Sequence, residues 1–351
     1  YMAKMFIVRT LAVLALLVLV LQALDLLGES GKILAYAGNG EAELWTYVSL
    51  RAPQLIARFL PFSVLLGTII TLATLNQNSE VVSMKAGGLS AHQILAPLIV
   101  ASMGVALLSF IFNETLVAPS TARLSQWEKV EFGPIPAESN VRTNVWVKDG
   151  NNLINARTVT GSGEQVVLRE ITIYNRTENG LKNLLQGDEA RFTGSGWLLT
   201  GVTQFDVGTG TEEKKSELLV GDSILPDQFT LTNVSADSLS IFALHTAIGE
   251  LERAGRPTMS LKAGWWHKIS GPMSSILMPL LGAVAAFGLA RSGQLFLRAV
   301  IGMALGFAYF VADNFALAMG NIGAYPSLLA AWAPFLLFFL IGETVLIRTE
   351  E

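Results

Sequence analysis

The sequence predicts an α-helical membrane protein with a β domain inserted between two groups of membrane-spanning helices. The first observation is composition: of 351 residues, 51% are hydrophobic and 15% are charged, whereas a soluble domain carries about 25% charged residues. The second is the mean hydropathy of +0.48. The third is a change of pattern, because long apolar runs at both ends of the chain enclose a polar stretch from about residue 124 to residue 264.

The first three spans are predicted before this polar stretch, since about 20 apolar residues in a helix cross the hydrocarbon core. They are Thr10–Leu24, Phe59–Leu75 and Ile94–Asn113. The first run has a basic start and a later Ala35–Ala37 triplet, which are features of a secretory signal peptide. The triplet lies too far beyond the apolar run for the usual cleavage spacing, so we expect an uncleaved first helix.

The last three spans are predicted after the polar stretch, at Ile269–Ala290, Ala299–Met319 and Ser327–Gly342. The sequence therefore predicts six transmembrane helices, three before and three after the polar stretch. The predicted domains are residues 1–123 with the first three helices, 124–258 with the β domain and its connectors, and 259–351 with the last three helices.

Orientation follows from the lysines and arginines of the short loops, which favour the cytoplasmic side. The opposite side holds only Lys32 and Arg51 in its short loops. The richer side holds Lys4, Arg9, Lys85, Arg291, Arg298 and Arg348. We expect a multi-pass membrane protein with both termini cytoplasmic and the β domain outside, which is the periplasm if the cell is a bacterium with two membranes.

The inserted stretch has the pattern of an antiparallel β domain. Asn144–Lys148 alternates between apolar and polar residues, Asp149-Gly150 is a strong hairpin turn, and Leu153–Val159 follows as the next strand. Further short strands separated by glycine-containing turns predict a sandwich or jelly roll. An apolar trough in its interior is predicted to be lined by alternate residues: Val145, Val147, Leu153 and Leu198.

Several classes of function are not supported by the sequence. There are no cysteines, and the three histidines are far apart, so neither thiolate chemistry nor a metal site is predicted. The string Gly28–Ile33 has the wrong spacing for a phosphate-binding loop, and no protease or esterase motif occurs. The net charge of −4 disfavours nucleic acid as a partner. The chain is therefore not expected to be an enzyme by itself, and uphill transport would need energy from a partner or an ion gradient.

The loop between the second and third spans predicts a short amphipathic helix near residues 78–88. Ser79 can cap it, Glu80 lies in its first turn where the helix dipole favours an acid, and Gly87-Gly88 ends it. Such a helix between two spans can dock into a groove on a separate motor protein. The alternative is a capped turn at the membrane interface. The predicted coupling residues are Ser79, Glu80, Val81, Val82, Met84, Lys85 and Gly88.

A series of short sequence motifs along the chain resembles the LptF/LptG family, the permease subunits of the lipopolysaccharide-export ABC transporter. The motifs are more similar to the LptG branch of this family. Each string alone is short, but together they cover nearly the whole chain. They are Ser79–Gly88, Val117–Pro119, Val145–Asn152, Trp266–Lys268, Phe287–Ser292, Gly306–Asp313 and Ala330–Pro334.

The resemblance implies a set of partners. An LptG-like chain pairs with the sister permease LptF around a central cavity, an LptB ATPase dimer binds through the coupling helices, and the LptC transmembrane helix packs beside the first helix. Lipopolysaccharide is extracted from the inner membrane and passed toward the outer membrane. ATP and magnesium are used by the partner ATPase, and no cofactor is expected on this chain.

The same resemblance implies sites for the lipid. Family members often place several lysines at the outer end of the first helix, but Gln22–Glu29 contains none here, so positive charge must come from elsewhere. The candidates for substrate binding are Arg58, Arg123, Lys129, Lys262 and Lys268. The alternative for each of them is that the side chain does not bind lipid but extends to the membrane interface and marks the end of a span.

A lateral gate for lipid entry is implied along the first helix, facing the fifth helix of the sister permease. This helix has an almost unbroken aliphatic surface and no pair of small residues at four-residue spacing between Leu14 and Leu24. The gate residues are predicted to be Leu14, Leu17, Val18 and Leu21. A plain lipid-facing span is the alternative.

Arg58 and Asp313 are predicted to lie at similar depths in their helices, so a structural ion pair competes with a phosphate contact for Arg58. Two other classes of protein remain possible from the residues alone. One is a membrane-anchored scaffold or receptor whose β domain binds protein partners. The other is an ion-coupled carrier, which usually shows broken helices or several acids within the membrane.

Overall fold

A computed structural model describes residues 1–134, 142–161, 165–177, 180–221, 224–226, 229, 235–253, 256–287 and 295–348. The chain forms two compact units. The helical unit comprises Tyr1–Gly133, Ser235–His245 and Met259–Glu351, and the β unit comprises Pro134–Val234 and Thr246–Thr258. Each unit is described by itself.

Five helices precede the β unit. Two long helices, α1 and α2, are followed by the short helix α3 and then by α4 and α5. A π-helical turn at Asn113–Val117 connects α4 with α5 without a break. Their bounds are α1 Met2–Ala35, α2 Glu41–Gln77, α3 Glu80–Ala86, α4 Ala91–Phe112 and α5 Ala118–Lys129.

The helices after the sheet begin with a 3₁₀ turn at Ala236–Ser238 and an amphipathic helix. Three long helices follow. Their bounds are α6 Ile241–Arg253, α7 Met259–Phe287, α8 Leu295–Asn321 and α9 Ser327–Arg348.

Five helices within the described residues are long and apolar enough to cross a membrane. They are α1, α2, the continuous helix Ala91–Lys129, Val300–Asn321 in α8, and α9. The helix predicted as the fourth span, α7, is 29 residues long but does not belong to this set. The predicted span, Ile269–Ala290, ends at residues that lie outside the described part of the chain. The membrane architecture is thus confirmed, and five of the six predicted spans are found among the described residues.

Helix α7 lies at the centre of the helical unit, where it packs against α2, α4, α8 and α9. Small residues allow the close approach: a Cβ atom at Gly282 would overlap Thr68 of α2, and one at Gly342 of α9 would overlap Leu280 of α7. Helices in membranes associate through such small-residue contacts, because lipid offers no hydrophobic driving force between them.

The β unit contains a six-stranded antiparallel sheet whose strands follow one another in sequence order. Gly150, with a φ of +57°, forms the predicted turn between the first two strands. The strands are β1 Arg142–Asp149, β2 Asn152–Thr160, β3 Val167–Thr177, β4 Gly180–Phe192, β5 Trp197–Asp206 and β6 Thr211–Val220. The inserted antiparallel β domain is confirmed. The described strands form a meander, and the finer expectation of a jelly roll stays a prediction.

One face of this sheet carries the apolar core of the β unit, and the strand register decides which residues point there. Val145 and Val147 are buried in this core as predicted. Leu153 pairs with Lys148, while the buried Ile154 pairs with Val147, so Leu153 lies on the opposite face because side chains alternate along a strand. The same alternation puts Leu199 in the core.

The prediction that Leu153 and Leu198 line the interior is therefore wrong by one residue in each strand. A cavity in this core is lined by ten apolar side chains and holds about 10 Å³, which is at the lower limit of what one water molecule needs. An open trough in this unit stays a prediction.

Candidate functional site

The short helix α3 is bounded by two residues in the left-handed region of backbone space. Ser79 precedes it with a φ of +60°, and Gly88 follows it with a φ of +84°. Glycine adopts this conformation freely, whereas serine does so at a cost. These two residues separate α3 from α2 and α4.

One face of α3 is anchored in the core of the helical unit. Val81 is 3% exposed, and Met84 packs against the same cluster, which also contains Leu75 and Leu95. Val82, on the other side of α3, is 64% exposed. Glu80 lies between these faces, where its carboxylate accepts a hydrogen bond from the Asn78 amide at 3.3 Å.

A hydrogen-bond contact between side chains joins the segment after α3 to the last helix. His92 Nε2 lies 3.1 Å from a carboxylate oxygen of Glu343 in α9, and Ser90 caps α4 by accepting a hydrogen bond from the Gln93 amide. Sequence reasoning missed this pair, because its members are 251 residues apart and no local motif links them. The pair ties the start of α4 to α9.

A second network that the sequence did not reveal joins α1 to α2. Both carboxylate oxygens of Asp25 accept hydrogen bonds from Arg51, at 3.1 Å from Nε and 3.0 Å from Nη2. Tyr47 donates its hydroxyl to the same carboxylate at 2.6 Å, and Arg51 also donates to Gln54 at 2.7 Å. In the sequence analysis, Arg51 was counted only among the basic residues of the short loops that predict the membrane orientation.

Lys268, a predicted substrate contact, is paired within the chain. Its ammonium lies 3.1 Å from a carboxylate oxygen of Glu114, and the two side chains are 9% and 16% exposed. The other oxygen of Glu114 accepts a hydrogen bond from the backbone amide of Ile241 at 2.6 Å. In this conformation Lys268 is therefore engaged with Glu114.

The predicted ion pair between Arg58 and Asp313 is not formed in this structure. Asp313 instead lies beside His267, with 3.0 Å between a carboxylate oxygen and Nε2. The reason is placement: His267 is on the neighbouring helix α7, whereas the Arg58 side chain is exposed on α2. The sequence interpretation took His267 only as part of a family-like string.

The remaining predicted substrate contacts lie on two helices. Arg123 and Lys129 are exposed on α5, and Lys262 is half-buried on α7. A role for these residues and Arg58 in lipid binding stays a prediction.

The predicted gate residues lie on the inward face of α1. Leu14 is buried, and Leu17, Val18 and Leu21 are half-buried. Val18 packs against the helical core. The exposed aliphatic face of α1 consists of other residues: Leu11, Leu16, Leu19, Val20, Leu24 and Leu27. A gate at Leu14, Leu17, Val18 and Leu21 stays a prediction.

Metal binding was not predicted. In the part of the chain that the structure describes, no three His, Cys, Asp or Glu side chains are grouped closely enough to hold a metal ion. The polar side chains found above instead pair with one another across helices.

The sequence model of the family described as "Lipopolysaccharide export system permease LptF/LptG" matches residues 1–348. The chain belongs to this family. It is also similar to individual LptF/LptG members. It is 28% identical over 308 residues to the lipopolysaccharide export system permease protein LptG of Escherichia coli strain K12, which covers 86% of this chain and 84% of that protein.

A second LptG protein gives a similar result. The chain is 25% identical over 328 residues to that of Haemophilus influenzae, covering 90% of this chain and 89% of the relative. The predicted resemblance to the LptF/LptG family is thus confirmed. The chain is thus a member of a permease family, and it has several helices that are long and apolar enough to span a membrane.

Proposed function

We propose that this chain is the LptG-like permease subunit of an ATP-driven transporter that extracts lipopolysaccharide from the bacterial inner membrane. The observation that carries the proposal is the match of the family over residues 1–348, since it spans both groups of helices and the inserted sheet. The names of the relatives, which are lipopolysaccharide export permeases, support the substrate.

The proposed partners follow from the same family. A sister permease, LptF, completes the cavity, an LptB dimer binds ATP and magnesium, and LptC adds one transmembrane helix beside α1. The exposed aliphatic face of α1 supports a contact with another helix or with lipid. The β domain is proposed to be periplasmic and both termini cytoplasmic.

Helix α3 is the proposed contact with the ATPase. It has the two properties that a coupling helix needs: an inner face that is anchored by Val81, and an outer face that stays accessible. Force from a motor protein can then reach α2 and α4 without dislodging α3, because the buried face moves together with its neighbours.

The experiment that tests this function is purification of the chain with its native partners, followed by identification of the bound proteins. We expect a P-loop ATPase and a second, related permease. A matched pair of variants locates the contact: Glu80→Ala should reduce the amount of ATPase recovered, whereas Glu43→Ala, at the start of α2, should not.

The outcome also separates the alternatives. Recovery of only periplasmic proteins would favour a scaffold. Recovery of the chain alone, with substrate movement driven by an ion gradient, would favour a carrier.

A further inference from the structure

Glu114 is placed within an interruption of the long helix Ala91–Lys129. It belongs to the π-helical turn Asn113–Val117, and such turns in α-helices frequently occur at functional sites. This helix is apolar enough to cross a membrane, so an acidic residue here is expensive unless it is paired.

The carboxylate of Glu114 has a different partner for each oxygen. One oxygen accepts a hydrogen bond from the Lys268 ammonium at 3.1 Å, and the other accepts one from the backbone amide of Ile241 at 2.6 Å. These partners are 154 and 127 residues away in the sequence. Removing one partner from a buried pair leaves an uncompensated charge, which is strongly destabilising.

Ile241 is the first residue of α6, where the helix has free amide groups and a partial positive charge. Ser240 accepts a hydrogen bond from the Ala243 amide at 3.3 Å, while Glu114 satisfies the Ile241 amide. This helix start is therefore capped in part by its own chain and in part by a residue of another helix.

Further contacts hold the same segment against α7. A Cβ atom at Gly264 would overlap the side chain of Ala236, and the rings of His245 and Trp265 are 5.9 Å apart. Leu244 is fully buried. The segment from residue 235 to residue 245 thus belongs to the helical unit.

Helix α6 continues without a break to Arg253, and its residues from Thr246 onward group with the β unit. We propose that Glu114 is a positioning residue which, through Lys268 and the Ile241 amide, fixes the start of α6 and couples movements of α4 and α7 to this helix start. Coupling of this kind travels through ion pairs and rigid helices.

The experiment uses the full chain in complex with its partners in lipid nanodiscs, and measures amide hydrogen exchange of residues 241–245. Glu114→Ala should raise exchange there about tenfold or more, because a charge-assisted hydrogen bond is lost. Glu114→Gln should have a smaller effect, since its amide oxygen can still accept from Ile241. Glu343→Gln, which alters the interhelical contact with His92, is the control and should leave this segment unchanged.

The second readout rests on the proposed function: lipopolysaccharide transferred per ATP hydrolysed in proteoliposomes. Glu114→Ala should lower this ratio several-fold while hydrolysis continues, and Glu114→Gln should restore part of it. Unchanged exchange at residues 241–245 in Glu114→Ala would overturn the proposal, and so would raised exchange with an unchanged ratio. Absence of transfer by the unaltered complex would instead count against the proposed function, and the exchange measurement would still decide the role of Glu114.

Discussion

Gly67 of α2 lies directly against the backbone of Thr10 in α1: a Cβ atom at Gly67 would come within 3.0 Å of both the Cα and the amide nitrogen of Thr10. Backbone atoms cannot move aside as a flexible side chain can. The absence of a side chain at Gly67 therefore sets how closely the first two helices of this permease pack.

Replacing Gly67 by alanine should push α1 away from α2. The expected cost is about 1–3 kcal/mol, which is typical of overpacking, and it should appear as a lower thermal unfolding midpoint in detergent. Gly104→Ala in α4 is the matched control, because a Cβ atom there meets nothing within 4 Å and alanine favours a helix. Equal midpoints for the two variants would contradict the close packing.

The ion pair between Asp25 and Arg51 should depend on the planar guanidinium group. Arg51→Lys keeps the charge but cannot donate two parallel hydrogen bonds to one carboxylate, so it should destabilise the contact between α1 and α2 almost as much as Arg51→Met. Hydrogen bonds to charged groups contribute about 1.5–3 kcal/mol. The measurement is the thermal unfolding midpoint of both variants. A midpoint of Arg51→Lys equal to that of the unaltered chain would show that the planar guanidinium group is not needed.

Two neighbouring valines in α3 should respond in opposite ways to the same substitution. Val81→Asp introduces a carboxylate into the core and should lower the thermal stability of the chain. Val82→Asp changes an exposed side chain and should leave stability unchanged, while it weakens binding of the ATPase. Unfolding midpoints and recovery of the ATPase in pull-down experiments distinguish the two effects. Normal ATPase binding by Val82→Asp would argue against the outer face of α3 as the contact.

The turn between β5 and β6 should lose stability in acid. The backbone amide of Thr209, its hydroxyl and the amide of Gly208 donate hydrogen bonds to Asp206, which lower the pKa of that carboxyl. Because the pKa is lower in the folded state, this stabilisation is complete above the unfolded value of about 4 and is lost as the pH falls through the folded value.

The comparison of Asp206→Ala with the unaltered chain tests whether this stabilisation is lost, rather than gained, as the pH falls. Amide exchange of residues 207–211, corrected for the intrinsic rate, should be faster in Asp206→Ala at pH 6, and the difference should shrink below about pH 4. A difference that grows toward acid would mean that the hydrogen bonds favour the protonated carboxyl.

Much of the architecture could be predicted because it follows from periodicity. The apolar runs, the alternating strands, the Asp149-Gly150 turn and the short helix at Glu80 are local patterns, and the structure contains each of them. It was harder to predict which face of each strand points into the apolar core. In β5, Leu198 and Leu199 are both apolar, so alternation alone does not say which one enters the core.

The pairing of charged residues could not be predicted, since it depends on how helices are rotated about their axes. Asp313 was matched by depth with Arg58, but a residue's depth does not fix the direction of its side chain, and His267 is its partner. Glu114 and Lys268 are likewise joined only when α4 and α7 pack together. Helix packing also turns Leu14 inward, away from the exposed face of α1.

This chain is proposed to form part of an ATP-driven path for lipopolysaccharide. The most direct test of this proposal places the purified complex, with its ATPase and sister permease, in proteoliposomes that contain lipopolysaccharide, and measures transfer to a soluble periplasmic acceptor protein. We predict transfer that requires ATP and that stops when the ATPase carries a substitution in its catalytic glutamate. ATP hydrolysis at a normal rate with no lipopolysaccharide leaving the membrane, or transfer that proceeds equally without ATP, would contradict the account.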